Sequence, residues 1–194
     1  STLVILQHRL RDQKTSPRPS IDVVKSYGEL TAVNCYPGLL NQVFMNLISN
    51  AIDAIDDCYV EDGTEENLPK VAVSSPQIEI LTDQLDENWV RIQVRDSGQG
   101  LPEEFAERLF DPFFTTKSVG QGTGLGLSIA HKIVVERHGG RISGRSLPSH
   151  GAEFTVDLPI GVMDGQAASS DTALGDMTPV DQLGDRPMEM TAGA

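Results

Sequence analysis

The sequence predicts an α/β (α+β) fold, a two-layer sandwich in which helices cover one face of a mixed sheet. Two segments, 39–55 and 125–137, place apolar residues at the 3.6-residue spacing of a helix with one apolar face. The segment 89–95 alternates apolar and polar residues, which is typical of a strand with one buried face. Helices and strands that each present one apolar face bury those faces by packing as two layers.

The first part of the chain predicts a short helix, two short strands and a long helix. Residues 1–13 carry leucines at helical spacing, and two prolines stiffen the linker that follows. Short apolar runs indicate strands at 21–24 and 31–35. Pro37 suits the first turn of the long helix, which we expect to continue to Ile55.

The second part predicts further strands around two shorter helices. The acids after Pro102 favour a helix start, because the helix dipole attracts negative charge there, and two glycines after His138 end the last helix. The expected elements are a strand around residues 78–80, the strand 89–95, a short helix from Leu101, the helix 125–137, and strands at 141–146 and 153–158.

The chain is strongly acidic, but its charge is unevenly distributed. Its 194 residues include 28 acidic and 15 basic side chains, for a net charge of −13. An acidic protein repels phosphate backbones and anionic lipids, so we expect no nucleic-acid partner. The loop 56–68 and the tail 162–194 carry 11 of the 13 net negative charges. The remainder is nearly neutral and is compatible with a small phosphate ligand held by backbone amides.

Cysteine usage and hydropathy predict a cytoplasmic location. Cys35 and Cys58 have no CxxC spacing, which argues against a zinc site or a disulfide scaffold. No stretch reaches the ~20 apolar residues of a transmembrane helix, and no signal-peptide pattern is present. The first residue, Ser1, suggests a piece of a longer protein, which could carry a membrane anchor upstream.

Six of the eighteen glycines lie between Gly98 and Gly126, in two clusters. The first, Asp96-Ser-Gly98-Gln-Gly100, follows the alternating strand, where a carboxylate and exposed backbone can meet a flat ligand. The second runs into a helix whose first amides can hold phosphate oxygens. Its residues are Gly122, Thr123, Gly124, Leu125, Gly126, Leu127 and Ser128. Neither cluster fits the Walker A pattern or a dinucleotide fingerprint.

The long helix carries a line of polar residues beside its apolar stripe. Asn46, Asn50 and Asp53 are spaced so that they share one helix face. Helix interiors disfavour Asn and Asp, and an amide oxygen suits a Mg²⁺ ion that keeps most of its water and bridges to phosphates. Taken alone, the line is also compatible with a solvated surface.

Together these motifs resemble the ATP-binding domain of sensor histidine kinases, within the superfamily shared with DNA gyrase, the ninety-kilodalton heat-shock chaperone and the MutL repair ATPase. The resemblance covers residues 21–160, and four motifs occur in family order. They are the N box (Asn46 to Asp53), the G1 box (Asp96 to Gly100), the F box (Phe110-Asp-Pro-Phe113-Phe114) and the G2 box (Gly122 to Ser128).

The resemblance implies a role for individual residues. Asn50 would bind Mg²⁺, and Asp96 would accept a hydrogen bond from the adenine amino group. Residues 115–121 would form a mobile ATP lid in which Lys117 contacts phosphate, and Phe113 and Phe114 would anchor its base while mostly packing in the core. The implied nucleotide-binding set is Asn50, Asp53, Asp96, Gly98, Gly100, Lys117, Gly122, Thr123, Gly124, Leu125 and Gly126.

Position 46 favours a kinase over a hydrolase. Hydrolytic relatives place Glu four residues before the magnesium Asn, whereas Asn46 cannot take a proton from water. We therefore expect catalysis through Asn46, Asn50 and Lys117, with the ATP γ-phosphate passing to a histidine elsewhere. The alternatives are a hydrolytic ATPase of the same superfamily and a non-catalytic nucleotide-binding or partner-switching module.

The acceptor histidine is missing from the expected position. His8 is followed by Arg9 and not by the acidic residue that the family places after its acceptor. We expect residues 1–14 to be the remnant of a dimerisation and histidine-phosphotransfer helix, 15–160 the catalytic domain, and 161–194 a disordered tail. The fragment should then bind ATP without phosphorylating itself.

The resemblance also implies partners for the full protein. They are ATP, the phospho-acceptor domain of the same protein and a downstream response regulator, and the full protein would be a homodimer. One departure from the family concerns the purine site: Ala152 stands where many members have Thr or Ser, so a hydroxyl near the purine is absent.

Overall fold

The structure is a computed structural model that describes residues 2–11, 19–59, 75–115, 122–148 and 150–161. Most of the predicted acidic loop, lid and tail lies outside these ranges. The main elements are α1 (Thr2–Leu10), β1 (Asp22–Tyr27), α2 (Pro37–Asp56), β2 (Gln77–Gln84), β3 (Trp89–Asp96), α3 (Gly126–Lys132), β4 (Arg141–Ser146) and β5 (Ala152–Pro159). Among the described helices, none combines the length and apolar character needed to cross a membrane.

The five strands form one mixed sheet in the order β1-β2-β3-β5-β4. β1 runs parallel to β2, and the other neighbouring pairs are antiparallel. α2 makes the crossover from β1 to β2, because parallel neighbours cannot be joined by a tight hairpin. The mixed α/β fold predicted from the sequence is confirmed.

Among the described residues, an apolar core lies between α2, α3 and one face of the sheet. On α2, Val43, Leu47 and Ile55 are fully buried, which follows from the helical spacing of its apolar residues. Alternate residues of the central strands face them, such as Val90 and Val94 of β3. Each such side chain contributes ~1.5–3 kcal/mol when buried, so this layer holds α2 firmly on the sheet.

The opposite face of the sheet, here called the outer face, carries charged residues in pairs. Arg91 donates two hydrogen bonds to Asp157, at 2.7 and 2.8 Å. Arg95 donates to Glu153 at 2.6 Å across the same pair of strands. The alternation seen in the sequence thus divides β3 and β5 between an apolar face and a paired, charged one.

The predicted strand at 31–35 is wrong, because residues 31–36 form no strand. Both neighbours of β2 are already strands, β1 and β3, so this segment has no ladder position beside it. Instead the backbone N–H and the hydroxyl of Thr31 each donate to Oε1 of Gln84, both at 3.0 Å. A side-chain contact replaces the expected backbone pairing.

The last predicted helix is present, but it changes geometry part-way. α3 continues from Ile133 to Arg137 as a π-helical turn, and His138 follows it. Nδ1 of His138 lies 2.8 Å from the carbonyl oxygen of Ile133, and the backbone N–H of Tyr36 donates to Nε2 at 3.1 Å. The imidazole of His138 thus joins the end of this helix to the start of α2.

The predicted helix after Pro102 is a short 3₁₀ helix, Glu103–Arg108. Its last residue, Arg108, also approaches Asp111 at 3.6 Å. This short element closes one side of the cleft described next.

Candidate nucleotide-binding site

A cleft of about 730 Å³ opens between α2, the end of β3 and the start of α3. All four sequence motifs contribute to its wall. The lining residues are Asn46, Ser49, Asn50, Asp53, Ala54, Asp57, Asp96, Gln99, Gly100, Leu101, Pro102, Phe105, Leu109, Phe114, Thr115, Gly122, Thr123, Gly124, Gly126, Leu127, Ala152 and Phe154. The fold therefore gathers at one place motifs that are far apart in the chain.

Most of the sequence-predicted site residues reach this cleft. Those that line it are Asn46, Asn50, Asp53, Asp96, Gly100, Gly122, Thr123, Gly124 and Gly126. Gly98 and Leu125 are not lining residues, but their backbone N–H groups donate to Asp96 and Thr123 in the turns at the G1 box and at the start of α3. Lys117 lies outside the described residues, as does most of the predicted lid.

Both ends of the polar line on α2 contact other helices. Nδ2 of Asn46 donates to the carbonyl oxygen of Gly126 at 2.9 Å, which attaches α2 to the first residue of α3. At the other end of the line, Asp53 forms an ion pair with Arg9 of α1. Asn50 lies between them in the cleft wall.

Asp96 is a buried carboxylate held by backbone amides. Its Oδ1 accepts hydrogen bonds from the N–H groups of Gly98 at 2.9 Å and Ala152 at 3.3 Å. Oδ2 has no hydrogen-bond donor among the described residues. Every fully buried side-chain polar atom in the described part of the chain has a hydrogen-bond partner. Because Oδ2 has none, it is not fully buried and is open to the cleft that Asp96 lines. This oxygen is placed to accept a hydrogen bond from a ligand.

The protonation of Asp96 is set by its burial. Only 5% of the residue is exposed, and burial raises its pKa to about 6, although the two backbone hydrogen bonds partly oppose this rise. At pH 7 the side chain is mostly ionised. The cleft thus contains a negative acceptor in a poorly hydrated place, where a hydrogen bond from a ligand contributes more than it would in water.

The turns around Asp96 leave no room for larger residues. A Cβ on Gly98 would lie 2.8 Å from the backbone of Ala54 on α2. Gly151 has a φ of +90°, and a Cβ there would lie 1.9 Å from the carbonyl oxygen of Asp96. Only glycine fits these two approaches, so they fix the carboxylate against α2 and β5.

The chain matches the family model for histidine kinase-, DNA gyrase B-, and HSP90-like ATPases over residues 36–162. That match spans more than half of the chain. The chain belongs to this family.

Relatives and solved structures place it on the histidine kinase branch. It is 36% identical to the signal transduction histidine-protein kinase AtoS of Escherichia coli K12 over 138 residues, which are 71% of this chain and 19% of AtoS. It is 38% identical to the sensor histidine kinase ZraS of Escherichia coli O157:H7 over 133 residues, 69% of this chain and 24% of ZraS. The chain therefore spans only a small part of these relatives.

The fold comparison agrees. A nucleotide-free catalytic domain of the histidine kinase ThkA superposes with a TM-score of 0.60 at 29% identity, covering 82% of this chain and 88% of that one. A second ThkA structure, in complex with the response regulator TrrA, matches with the same TM-score at 27% identity, over 82% of this chain and 38% of that one. The chain is an ATP-binding catalytic domain of the histidine kinase type.

In this histidine kinase domain, the F box and the G2 box touch through their backbones. Gly124 has a φ of +63°, and a Cβ there would lie 2.4 Å from the carbonyl carbon of Phe113. Phe113 itself has a φ of +65°, an uncommon conformation for a bulky residue. This close approach holds the two ends of the predicted lid next to each other.

The expectation that both phenylalanines mostly pack in the core is wrong for Phe113, which is 74% exposed. Its left-handed backbone turns the side chain outward while its main chain meets Gly124. Phe114 does pack, with its ring 5.2 Å from that of Phe105 and 5.0 Å from the guanidinium of Arg108. The two neighbours therefore differ because the turn at Phe113 reverses the direction of its side chain.

Sequence reasoning missed three residues that shape the site. Ser146, at the end of β4, accepts from the N–H of Leu101 at 2.7 Å and donates to its carbonyl at 2.6 Å. Gly151 closes on Asp96, and Arg9 reaches Asp53 from α1. Of the three, only Gly151 carries a signal in the sequence, because a glycine directly before a predicted strand indicates a turn. No local pattern marks Ser146 or Arg9.

The described wall of the cleft is acidic. Three carboxylates line it, Asp53, Asp57 and Asp96, and no basic side chain does so among the described residues. The thiol of Cys58 reports the same environment, because burial and then the charges of Asp57 and Asp96 raise its pKa. A polyanionic ligand in this cleft needs cations that are not part of its described lining.

Proposed function

We propose that this domain binds ATP with Mg²⁺ in the cleft and transfers the γ-phosphate to a histidine on a separate phosphotransfer domain. The observation that carries the proposal is Asp96, a buried carboxylate with one oxygen open to a cleft that all four family motifs line. Such an oxygen fits the exocyclic amino group of adenine, which donates a hydrogen bond and carries no charge.

The same geometry supports an orientation for the nucleotide. With the adenine at Asp96, the phosphates would extend toward Gly122, Gly124 and Gly126, which line the cleft where α3 begins. Backbone amides there can bind phosphate oxygens without a cationic side chain. Lys117 would add a cation from the lid, in the role that the family resemblance implies.

The residues fit a magnesium ion that is bound mainly by the ligand. Among the described residues, no group of three His, Cys, Asp or Glu side chains is placed to hold a metal by itself. A single amide oxygen from Asn50, which lines the cleft, suits Mg²⁺ because this ion keeps several waters and takes further ligands from phosphates. When bound, the ion would neutralise charge that develops on the transferred phosphoryl group.

Asn46 supports transfer to a protein acceptor over hydrolysis. Its amide nitrogen donates to Gly126, so the side chain is oriented by α3 and has no basic atom for an attacking water. Phosphoryl transfer depends mainly on positioning and on charge neutralisation, for which the proposed Mg²⁺ and Lys117 would supply the positive charge. The nucleophile would then come from another domain.

We further propose the cellular setting. ATP and Mg²⁺ are cytoplasmic ligands, so this domain would act in the cytoplasm. The acceptor domain would belong to the same full-length protein, which would be a homodimer, and a response regulator would take the phosphate onward. The ThkA complex with TrrA supports a regulator as partner, since ThkA shares this catalytic fold.

The test is phosphotransfer with γ-labelled ATP and Mg²⁺. The chain alone should acquire no label, whereas an added phosphotransfer domain from a similar sensor kinase should acquire acid-labile phosphate. Asn50→Ala should abolish the transfer. Gln42→Ala is the matched control, because Gln42 is on the same helix, is exposed and does not line the cleft.

Three outcomes would contradict the proposal. Label on the isolated chain would place an acceptor within it. Steady release of free phosphate well above background would favour a hydrolytic ATPase. Tight nucleotide binding without transfer to several acceptor domains would favour a non-catalytic nucleotide-binding module.

A further inference from the structure

Helix α1 is docked on α2, the helix that carries the N box. Leu6 and Leu10 of α1 are buried in the common core. The backbone N–H of Ile21 donates to the carbonyl oxygen of Leu10 at 2.8 Å, which ties the end of α1 to the residue before β1. These contacts give α1 a defined position beside the cleft.

One cationic side chain of α1, Arg9, contacts the N box. Nη2 of Arg9 forms a short ion pair with Oδ1 of Asp53, and Nη1 donates to Oγ of Ser49 at 2.8 Å. Asp56 lies further away, with its Oδ2 3.6 Å from Nη2. Ser49 and Asp53 line the cleft, but Arg9 does not. Arg9 therefore contacts the wall of the site from behind.

This arrangement matters because of the charge of the cleft. Its described lining holds three carboxylates and no basic side chain, yet its proposed ligand is a polyanion. Asp53 is one turn from Asn50, the proposed magnesium ligand, so its charge and its rotamer both bear on the phosphate end of the site. A guanidinium fork offsets that charge and also restricts the carboxylate to one orientation.

We propose that Arg9 is a positioning residue of the nucleotide site, which holds Asp53 and offsets its charge so that α1 forms part of the binding unit. The inference rests on the proposed function, since it concerns the same nucleotide. By this proposal, α1 affects nucleotide affinity through Arg9, a side chain that does not contact the nucleotide. Any displacement of α1 that separates Arg9 from Asp53 lowers nucleotide affinity.

The experiment measures binding of a non-hydrolysable ATP analogue with Mg²⁺ by calorimetry, alongside thermal unfolding. Arg9→Gln should weaken binding by about three- to fivefold, the scale of a half-exposed ion pair, and the loss should shrink at high salt. Arg9→Lys should lose less affinity than Arg9→Gln, because it keeps the charge but not the guanidinium contacts to both Ser49 and Asp53. Arg11→Gln is the matched control, since Arg11 is exposed and one residue beyond the end of α1.

A double-mutant cycle separates this role from a merely structural one. In an Asp53→Asn background, Arg9→Gln should change affinity by less than about 1.5-fold, because the charge that Arg9 offsets is gone. Unchanged affinity in Arg9→Gln, with only a lower melting temperature, would overturn the proposal. An equal loss in both backgrounds would overturn it as well. Absence of binding by the unmodified chain would instead overturn the proposed function, and this inference with it.

Discussion

Two buried carboxylates on neighbouring strands, Glu153 and Asp96, differ in the groups that hold them. Glu153 on the outer face of the sheet is 1% exposed, and Asp96 at the cleft is 5% exposed. Glu153 is held by two arginines, with Nε of Arg95 at 2.6 Å and Nε of Arg145 at 2.7 Å. Asp96 is held by two backbone amides alone.

The difference in partners gives the two groups opposite pKa shifts. Burial would raise the pKa of Glu153, but hydrogen bonds and charge from Arg145 and Arg95 outweigh it and lower the pKa. At Asp96, burial outweighs the amides and raises the pKa to about 6. Similar burial therefore gives opposite pKa shifts, and the absence of a cationic partner distinguishes the carboxylate of the proposed site.

The largest expected effect comes from Gly151→Ala, which disturbs both regions because Gly151 lies between Asp96 and the start of β5. A Cβ at its φ of +90° would lie 1.9 Å from the carbonyl oxygen of Asp96. We expect a loss of about 3–5 kcal/mol in the free energy of unfolding, from backbone strain and overpacking. Denaturant unfolding measures it. Gly161→Ala is the control, since nothing lies within 4 Å of a Cβ there.

Glu153→Gln should break the outer face and leave the cleft intact. Removing the charge deprives Arg95 and Arg145 of their shared partner, and we expect a loss of about 2–3 kcal/mol of stability. This loss is no larger than the usual cost of breaking a buried ion pair, because the side chains of both arginines are partly exposed to solvent. Nucleotide affinity, measured by calorimetry, should stay unchanged. A parallel fall in affinity would show that the two regions are not separate.

Asp96→Asn should have the converse effect. The amide oxygen can still accept from Gly98 and Ala152, but the group that faces the cleft becomes a donor. We expect nucleotide binding to weaken by about 1–3 kcal/mol, while the melting temperature stays level or rises, because a buried charge has been removed. Asp22→Asn, at an exposed position of β1, is the control. Unchanged affinity for ADP would remove Asp96 from the site.

The smallest expected effect is a pH dependence of binding. The proposed acceptor of the adenine amino group is the ionised form of Asp96, whose pKa is about 6, so affinity should be constant above pH 7 and fall about tenfold from pH 7 to pH 5. The ligand titrates as well, and its contribution to the pH dependence should be the same in Asp96→Asn. The contribution of Asp96 should be absent in that variant. An identical pH profile in both proteins would contradict the assignment.

The free energy of unfolding of the nucleotide-free protein should also depend on pH, and Asp96 and Glu153 should contribute with opposite signs. Asp96 binds its proton more tightly when folded, so its contribution to stability decreases as the pH rises from about 4 to about 6. Glu153 has a lowered pKa in the folded protein, so its contribution is present above the ordinary pKa of 4.5 and is lost below it. Comparing acid unfolding of Asp96→Asn and Glu153→Gln separates the two.

Local patterns were sufficient to predict the main elements and the motifs of the site. Alternation identified β3, and helical spacing identified α2 and the line from Asn46 to Asp53. The resemblance then implied a shared site for the four motifs, which the fold brings to one cleft. The prediction at residues 31–35 failed because strand formation depends on which strand edge a segment reaches in the fold, and no local pattern reports that.

The contacts that complete the site depend on tertiary packing and could not be predicted. Arg9 and Asp53 are 44 residues apart, and Asp96 and Ala152 are 56 apart. Likewise, His138 holds the start of α2 from 102 residues away. Sequence periodicity describes which face of an element is apolar, but not which polar side chain it will meet on another element.

The backbone contact between Phe113 and Gly124 has a consequence for how such domains can diverge. It fixes the two points between which the intervening chain must close. For a loop with fixed ends, each doubling of length costs only ~0.6 kcal/mol of closure entropy. Closure entropy thus sets only a weak limit on the number of residues between these two points, whereas a side chain at Gly124 would separate them. We therefore expect the two end points to be more restricted than the number of residues between them.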